Sequence, residues 1–120
     1  MYTHRQPMTV EEFLQAYQSG QRDFSEVDLS QAQLAGQNLK GVNFNYADLS
    51  QANLQGANLR GADLSFAILQ GADLSQADLR GSLIIGTNFR NANLEGTNFA
   101  QADYDLSQTI FPEGFNPLSL

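Results

Sequence analysis

Large apolar residues recur at every fifth position from Phe24 to Tyr104, with no insertion or deletion. They centre seventeen five-residue blocks over residues 22–106. Most centres (position i) are Leu; Phe24, Phe44, Ile84, Phe89, Phe99 and Tyr104 are the exceptions. Position i−2 is small and is Ala in ten blocks, and i−1 is usually Asp or Asn. A helix cannot use this spacing, because five steps of about 100° leave successive centres on no common face. A flat strand fails too: i−2 and i share a face, but the next small residue follows at i+3, an odd step that flips it outward. The chain must therefore turn inside every block, at i+1 and i+2. Eight of the ten glycines lie at i+2, where a tight corner favours a residue that tolerates positive φ. The pattern predicts a coil of short extended sides and corners. Centres and small residues point inward, and the other three positions point outward. Stacked coils then pair backbone groups about 4.8 Å apart. The number of blocks per coil stays open on these residues. Gly41, Gly61 and Gly81 suit a twenty-residue coil, whereas Gly41, Gly56, Gly71 and Gly86 suit fifteen.

The A(D/N)Lxx block, as in Ala52-Asn53-Leu54 and Ala72-Asp73-Leu74, resembles the repeat of the pentapeptide-repeat family across residues 22–106. The RDFSEVDLSQAQL opening of the repeats, with a helix before it, is similar to cyanobacterial members. The resemblance implies an all-β solenoid: a right-handed quadrilateral β-helix of four blocks per coil. That makes about four coils, a stack about 20 Å long at the strand spacing.

The ends of a solenoid need covers, because they expose core side chains and strand edges. Residues 9–19 read as a short N-terminal α-helical cap. Thr9 and Glu12 have capping-box spacing, Val10, Phe13, Leu14 and Tyr17 fall on one face, and Gly20 stands where a C′ glycine belongs. Met8 and Phe13 have the spacing of a hydrophobic staple. Arg22 and Gln37, at small-residue positions, suggest a first coil adapted to this lid. Past Leu106 the period fails, and Ile110, Phe111, Phe115, Leu118 and Leu120 make an apolar tail broken by Pro112 and Pro117. The predicted organisation is an arm and capping helix (1–21), the repeat body (22–106) and a C-terminal tail (107–120). The tail is expected over the last coil or along a side, with a dimer contact as the other reading.

Net charge is −7 with a sequence pI near 4.3, which argues against direct nucleic-acid binding. The chain has no cysteine, no membrane-length apolar run and no basic-then-apolar leader pattern, so a cytoplasmic protein is expected. No catalytic, cofactor-binding or metal-binding residues are predicted. His4 is the one histidine and sits in the arm. No P-loop, GxGxxG, GxSxG or HExxH pattern occurs. The many Asp residues are read as short polar side chains beside turns.

Departures from the repeat carry the functional signal. With twenty residues per coil, Lys40, Arg60 and Arg80 form a basic ladder at i+1 of a single column. Five apolar residues stand at outward positions: Tyr46 and Phe66 at i+2, Ile68 and Leu83 at i−1, and Ile85 at i+1. On that mapping they converge on one patch. A contiguous exposed apolar patch marks an interaction site, unless the tail folds back over it. The expected function is a non-enzymatic protein–protein interaction scaffold or regulator, with an unidentified protein partner or self-association through the patch or tail. The alternative follows from the resemblance: some pentapeptide-repeat proteins mimic duplex DNA in size and charge and bind DNA gyrase. The net charge fits that role, whereas the short stack and the basic ladder oppose it.

Overall fold

The computed structural model describes residues 5–119, so His4 and Leu120 lie outside the described residues. Parallel bridges join residues twenty apart along the whole repeat body, from Asp23↔Asn43 to Leu83↔Asp103. Four blocks therefore make one turn of the coil. Four columns of i−1 residues, headed by Asp23, Asp28, Gln33 and Asn38, mark its four sides.

Each block satisfies its backbone donors in one repeating way, and the block centred on Leu54 shows it. Leu54 N–H donates to Asp73 O at 2.8 Å and Gly56 N–H to Ser75 O at 2.9 Å, both in the following coil. Asn53 N–H donates back to Ala32 O at 2.9 Å, and Ala52 N–H closes the preceding corner on Leu49 O at 3.1 Å. The fifth donor, Gln55 N–H, finds no carbonyl and donates to the Asn53 side chain at 3.1 Å. The same i−1 to i+1 bond recurs in thirteen blocks. It is the physical reason for Asp or Asn at i−1. Residue i+2 has positive φ at all sixteen corners from Glu26 to Gln101, half of them non-glycine. With the i to i+3 hydrogen bond, this is a type II turn.

The centres and the small residues fill the interior. Every centre from Leu34 to Phe89 is fully buried. Thr87 fits an i−2 position by donating its hydroxyl to Leu64 O at 2.7 Å. Ser82, in the same class of position and fully buried, has no partner for its Oγ among the described residues.

The first coil is covered by helix α1 (Val10–Gln18). Thr9 and Glu12 bond each other reciprocally, side chain to backbone N–H, at 2.9 and 3.1 Å. The helix ends in a Schellman motif, with Gly20 N–H on Tyr17 O and Gln21 N–H on Ala16 O. Phe13 enters the core edge-on to Phe24 at 4.6 Å between ring centroids. Arg22 is adapted to the lid, its guanidinium 3.7 Å above the Tyr17 ring. Ahead of the helix, strand β1 (Gln6–Pro7) pairs in parallel with β2 (Val27–Asp28), so the arm adds a partial rung to the stack.

The tail closes the other end. Asn88 pairs with Ile110, a step of twenty-two instead of twenty. Thr109 Oγ1 reaches Ile84 O at 2.7 Å, as Thr87 reaches Leu64. Thr109-Ile110-Phe111 is thus one more block after a two-residue insertion, and the Phe111 ring stacks 5.9 Å from that of Phe89. Phe115 then packs on Phe111 and Phe99. Among the described residues, no helix is long and apolar enough to cross a membrane.

Two substitutions test this account by urea unfolding. Ser82→Ala removes a buried hydroxyl with no partner and raises stability by about 1 kcal/mol. Gly41→Ala lowers it by about 1 kcal/mol, although the added Cβ would meet nothing within 4 Å, because φ there is +71°.

Candidate functional site

The corner that follows the Asp23 column carries the apolar residues. Its i+2 positions are Glu26, Tyr46, Phe66 and Gly86, all at positive φ. Bulky residues rarely adopt that conformation, yet Tyr46 and Phe66 hold it at 62° and 59°. Their rings stack 5.1 Å apart and 13° from parallel. The Phe66 ring leans over the next rung, where a Cβ added at Gly86 would overlap it. Any side chain at Gly86 would therefore force the Phe66 ring to shift, in addition to taking on positive φ. Arg5 of the arm donates from Nε to Tyr46 O at 2.9 Å, a contact that no feature of the repeat announced.

Leu83 and Ile85 flank this corner on the next rung, with Leu83 paired to Asp63 and Ile85 O accepting from Phe66 N–H. Ile68 lies on the following side, and the bridges Ile68↔Asn88 and Asn88↔Ile110 continue its column to Ile110. The five predicted residues thus come together around one corner, and Ile110 of the tail extends the surface. Ile110 escaped sequence reasoning because the insertion hid its block. Comparison of Thr87-Asn88-Phe89 with Thr109-Ile110-Phe111 carries the signal.

Ile68 and Leu83 stand where Asp or Asn would accept the N–H of i+1. Among the described residues, the N–H groups of Gln70 and Ile85 accordingly have no acceptor. The tail, in its described residues, does not cover the patch. Its rings pack on Phe89, Phe99 and Tyr104 at the end of the stack, and Tyr46, Phe66 and Leu83 remain 48%, 39% and 39% exposed.

The basic ladder occupies the corner on the other edge of the same side. Gly41 N–H donates to Arg60 O and Gly61 N–H to Arg80 O, at 2.9 and 3.0 Å, which places Lys40, Arg60 and Arg80 on consecutive rungs. Their i+2 neighbours are Gly41, Gly61 and Gly81, and beside the three cations runs an open groove of about 520 Å³, floored by Gly61 and Gly81 and bounded on the next rung by Ala100 and Gln101. Arg80 forks onto Asp78, Nε to Oδ1 at 2.9 Å and an Nη to Oδ2 at 2.6 Å. That fork holds the Asp78 carboxyl below the usual carboxylate range and raises the guanidinium further. It is the one ion pair among the described residues.

The chain matches the model for pentapeptide repeats in eight copies, over residues 23–56, 45–81, 57–96 and 82–103. It is similar to alr5209, a pentapeptide repeat protein from Nostoc Pcc 7120, at 47% identity. The alignment covers 98% of this chain and 95% of that one, with a TM-score of 0.90. A second similar structure is the pentapeptide repeat protein Rfr23 from the cyanobacterium Cyanothece 51142, at 29% identity. It covers 74% of this chain and 60% of that one, with a TM-score of 0.72. No curated protein sequence matches the chain. More than half of the chain lies within the matched repeats, and it belongs to the pentapeptide-repeat family.

Leu83→Asn restores an acceptor for Ile85 N–H. It raises stability by about 0.5–1 kcal/mol in urea unfolding, even though it removes an apolar side chain.

Proposed function

We propose that this pentapeptide-repeat protein is a non-enzymatic interaction scaffold that docks a protein partner, or a second copy of itself, on the corner formed by Tyr46, Phe66, Ile68, Leu83 and Ile85. The observation that carries the reading is that four of these residues work against the repeat they belong to. Tyr46 and Phe66 hold a backbone conformation that glycine adopts without strain. Ile68 and Leu83 leave two N–H groups without the acceptor that thirteen other blocks provide. Ring stacking offsets part of this, at about 0.5–1.5 kcal/mol per pair. Local choices that weaken a fold and expose apolar surface belong to a binding site. A rigid solenoid suits that role, since its side chains are held on paired rungs and lose little freedom on docking.

Right-handed winding, a cytoplasmic location and the absence of catalysis and cofactors belong to the same reading. The gyrase-binding alternative draws on the net charge of −7. It fits less well, because Lys40, Arg60 and Arg80 make one corner of the stack basic along three rungs.

The test is crosslinked capture from native lysate with wild type and a Phe66→Asp, Ile85→Asp double variant, alongside sedimentation velocity of both. A protein, or a dimer of the chain, present with wild type and lost with the double variant is expected. For the captured species, Phe66→Ala weakens binding by about 2 kcal/mol or more. Identical capture and identical sedimentation would rule the corner out. A gyrase supercoiling assay is expected to show no inhibition.

A further inference from the structure

We propose that the glycine-lined groove is a separate docking site for an acidic helical segment of a partner protein, whose carboxylates engage Arg60 and Lys40. The three rungs of the ladder differ at i−1. At Arg80 the i−1 residue is Asp78, and its carboxylate fills the guanidinium fork. At Arg60 and Lys40 the i−1 residues are Asn58 and Asn38. These amides keep the turn bond, accepting from Arg60 N–H at 3.1 Å and from Lys40 N–H at 3.2 Å, but carry no charge. Neither cation has an ion-pair partner among the described residues. The Arg80 rung shows what this column accepts, a carboxylate, and the other two rungs lack it.

The groove is built to admit an outside chain. Gly41, Gly61 and Gly81 present no side chain, and a Cβ added at any of them would meet nothing within 4 Å. The N–H groups of Gly41, Gly61 and Gly81 are already used in the stack, so the cationic side chains are left to do the recognition. Two like charges on rungs about 5 Å apart repel, and a pair of carboxylates relieves that repulsion. Acids three or four residues apart on a helix are about 5–6 Å apart, which matches the rung spacing. The overall negative charge opposes such a partner only weakly, because charges more than about 8 Å away are screened at physiological salt. Of the nearby acids, Asp78 is held by Arg80 and feels the Arg60 charge only at longer range, without an ion-pair contact to it, and Asp63 lies past the corner on the adjoining side.

The probe is a fluorescein-labelled, alanine-rich helical peptide with glutamates at i and i+4, compared by anisotropy with its glutamine twin. The glutamate peptide is expected to bind wild type and to weaken as salt rises. Asn58→Asp supplies Arg60 with an internal carboxylate, using the residue that is regular at i−1, and is expected to weaken the peptide about fivefold or more. Asn88→Asp makes the same change beside Arg90 on the opposite side of the coil and is expected to stay within about twofold. The Phe66→Asp, Ile85→Asp variant is expected to bind the peptide like wild type, so this site and the apolar corner stand or fall separately. Equal binding of the two peptides, no effect of Asn58→Asp, or an equal effect of Asn88→Asp would each overturn the proposal. So would binding of inorganic tripolyphosphate without binding of the peptide, which would make the groove a phosphate site.

Discussion

The structure depends on where five backbone N–H groups go in every block. Two donate forward to the next coil, one back to the previous coil, and one across the corner. The fifth, at i+1, points out of the ladder and is met in thirteen blocks by the side chain two residues earlier. Each residue of the repeat follows from this allocation. A short acceptor at i−1 reaches the i+1 donor, which Asp and Asn do and Gln33 does not. Positive φ at i+2 swings the chain onto the next side while the i to i+3 bond closes. A small residue at i−2 leaves room for a large centre, and only the centre and its small neighbour face the interior.

The same allocation makes the ends difficult. A terminal coil has donors or acceptors with no neighbouring rung and centres with no layer above them. The first coil is met by a helix that inserts Phe13 against Phe24 and Phe44, and by an arm that continues the pairing. The last coil is met by an aromatic cluster of Phe111 and Phe115 on Phe89, Phe99 and Tyr104. Both solutions are aromatic-rich because rings cover the wide interior of a coil with few ordered bonds.

Much of this was legible in the sequence. The strict period excluded a helix and a flat strand, and the Thr9–Glu12 and Gly20 signals gave α1 to within a residue or so. The twenty-residue turn was not legible, since glycine spacing is set corner by corner and half the corners use other residues. The pairing of Gln6–Pro7 escaped because a two-residue strand has no period. Thr109-Ile110-Phe111 escaped because a two-residue insertion breaks a register that otherwise never breaks. The convergence of Tyr46, Phe66, Ile68, Leu83 and Ile85 was legible once the coil length was taken as twenty, but their exposure was not. That depended on which surface the tail covers, and Phe111 and Phe115 are equally apolar wherever they pack.

A strict repeat also makes its exceptions informative. In an irregular fold an exposed Leu or an unpaired Arg carries little meaning, because each position has its own environment. Here each outward position is repeated along the coil with nearly the same backbone, so the blocks that keep the rule act as controls for those that break it. Leu83 is compared with Asp63 and Asn43 in its own column, and Phe66 with Gly86. Asn58 is compared with Asp78. In the first two cases the departure forgoes a hydrogen bond or accepts positive φ in a bulky residue; in the third it leaves a guanidinium without its carboxylate. None of the three is repaid within the chain beyond the stacking of two rings. The two corners they mark border the same side of the coil, so these departures from the repeat gather around one side of the scaffold.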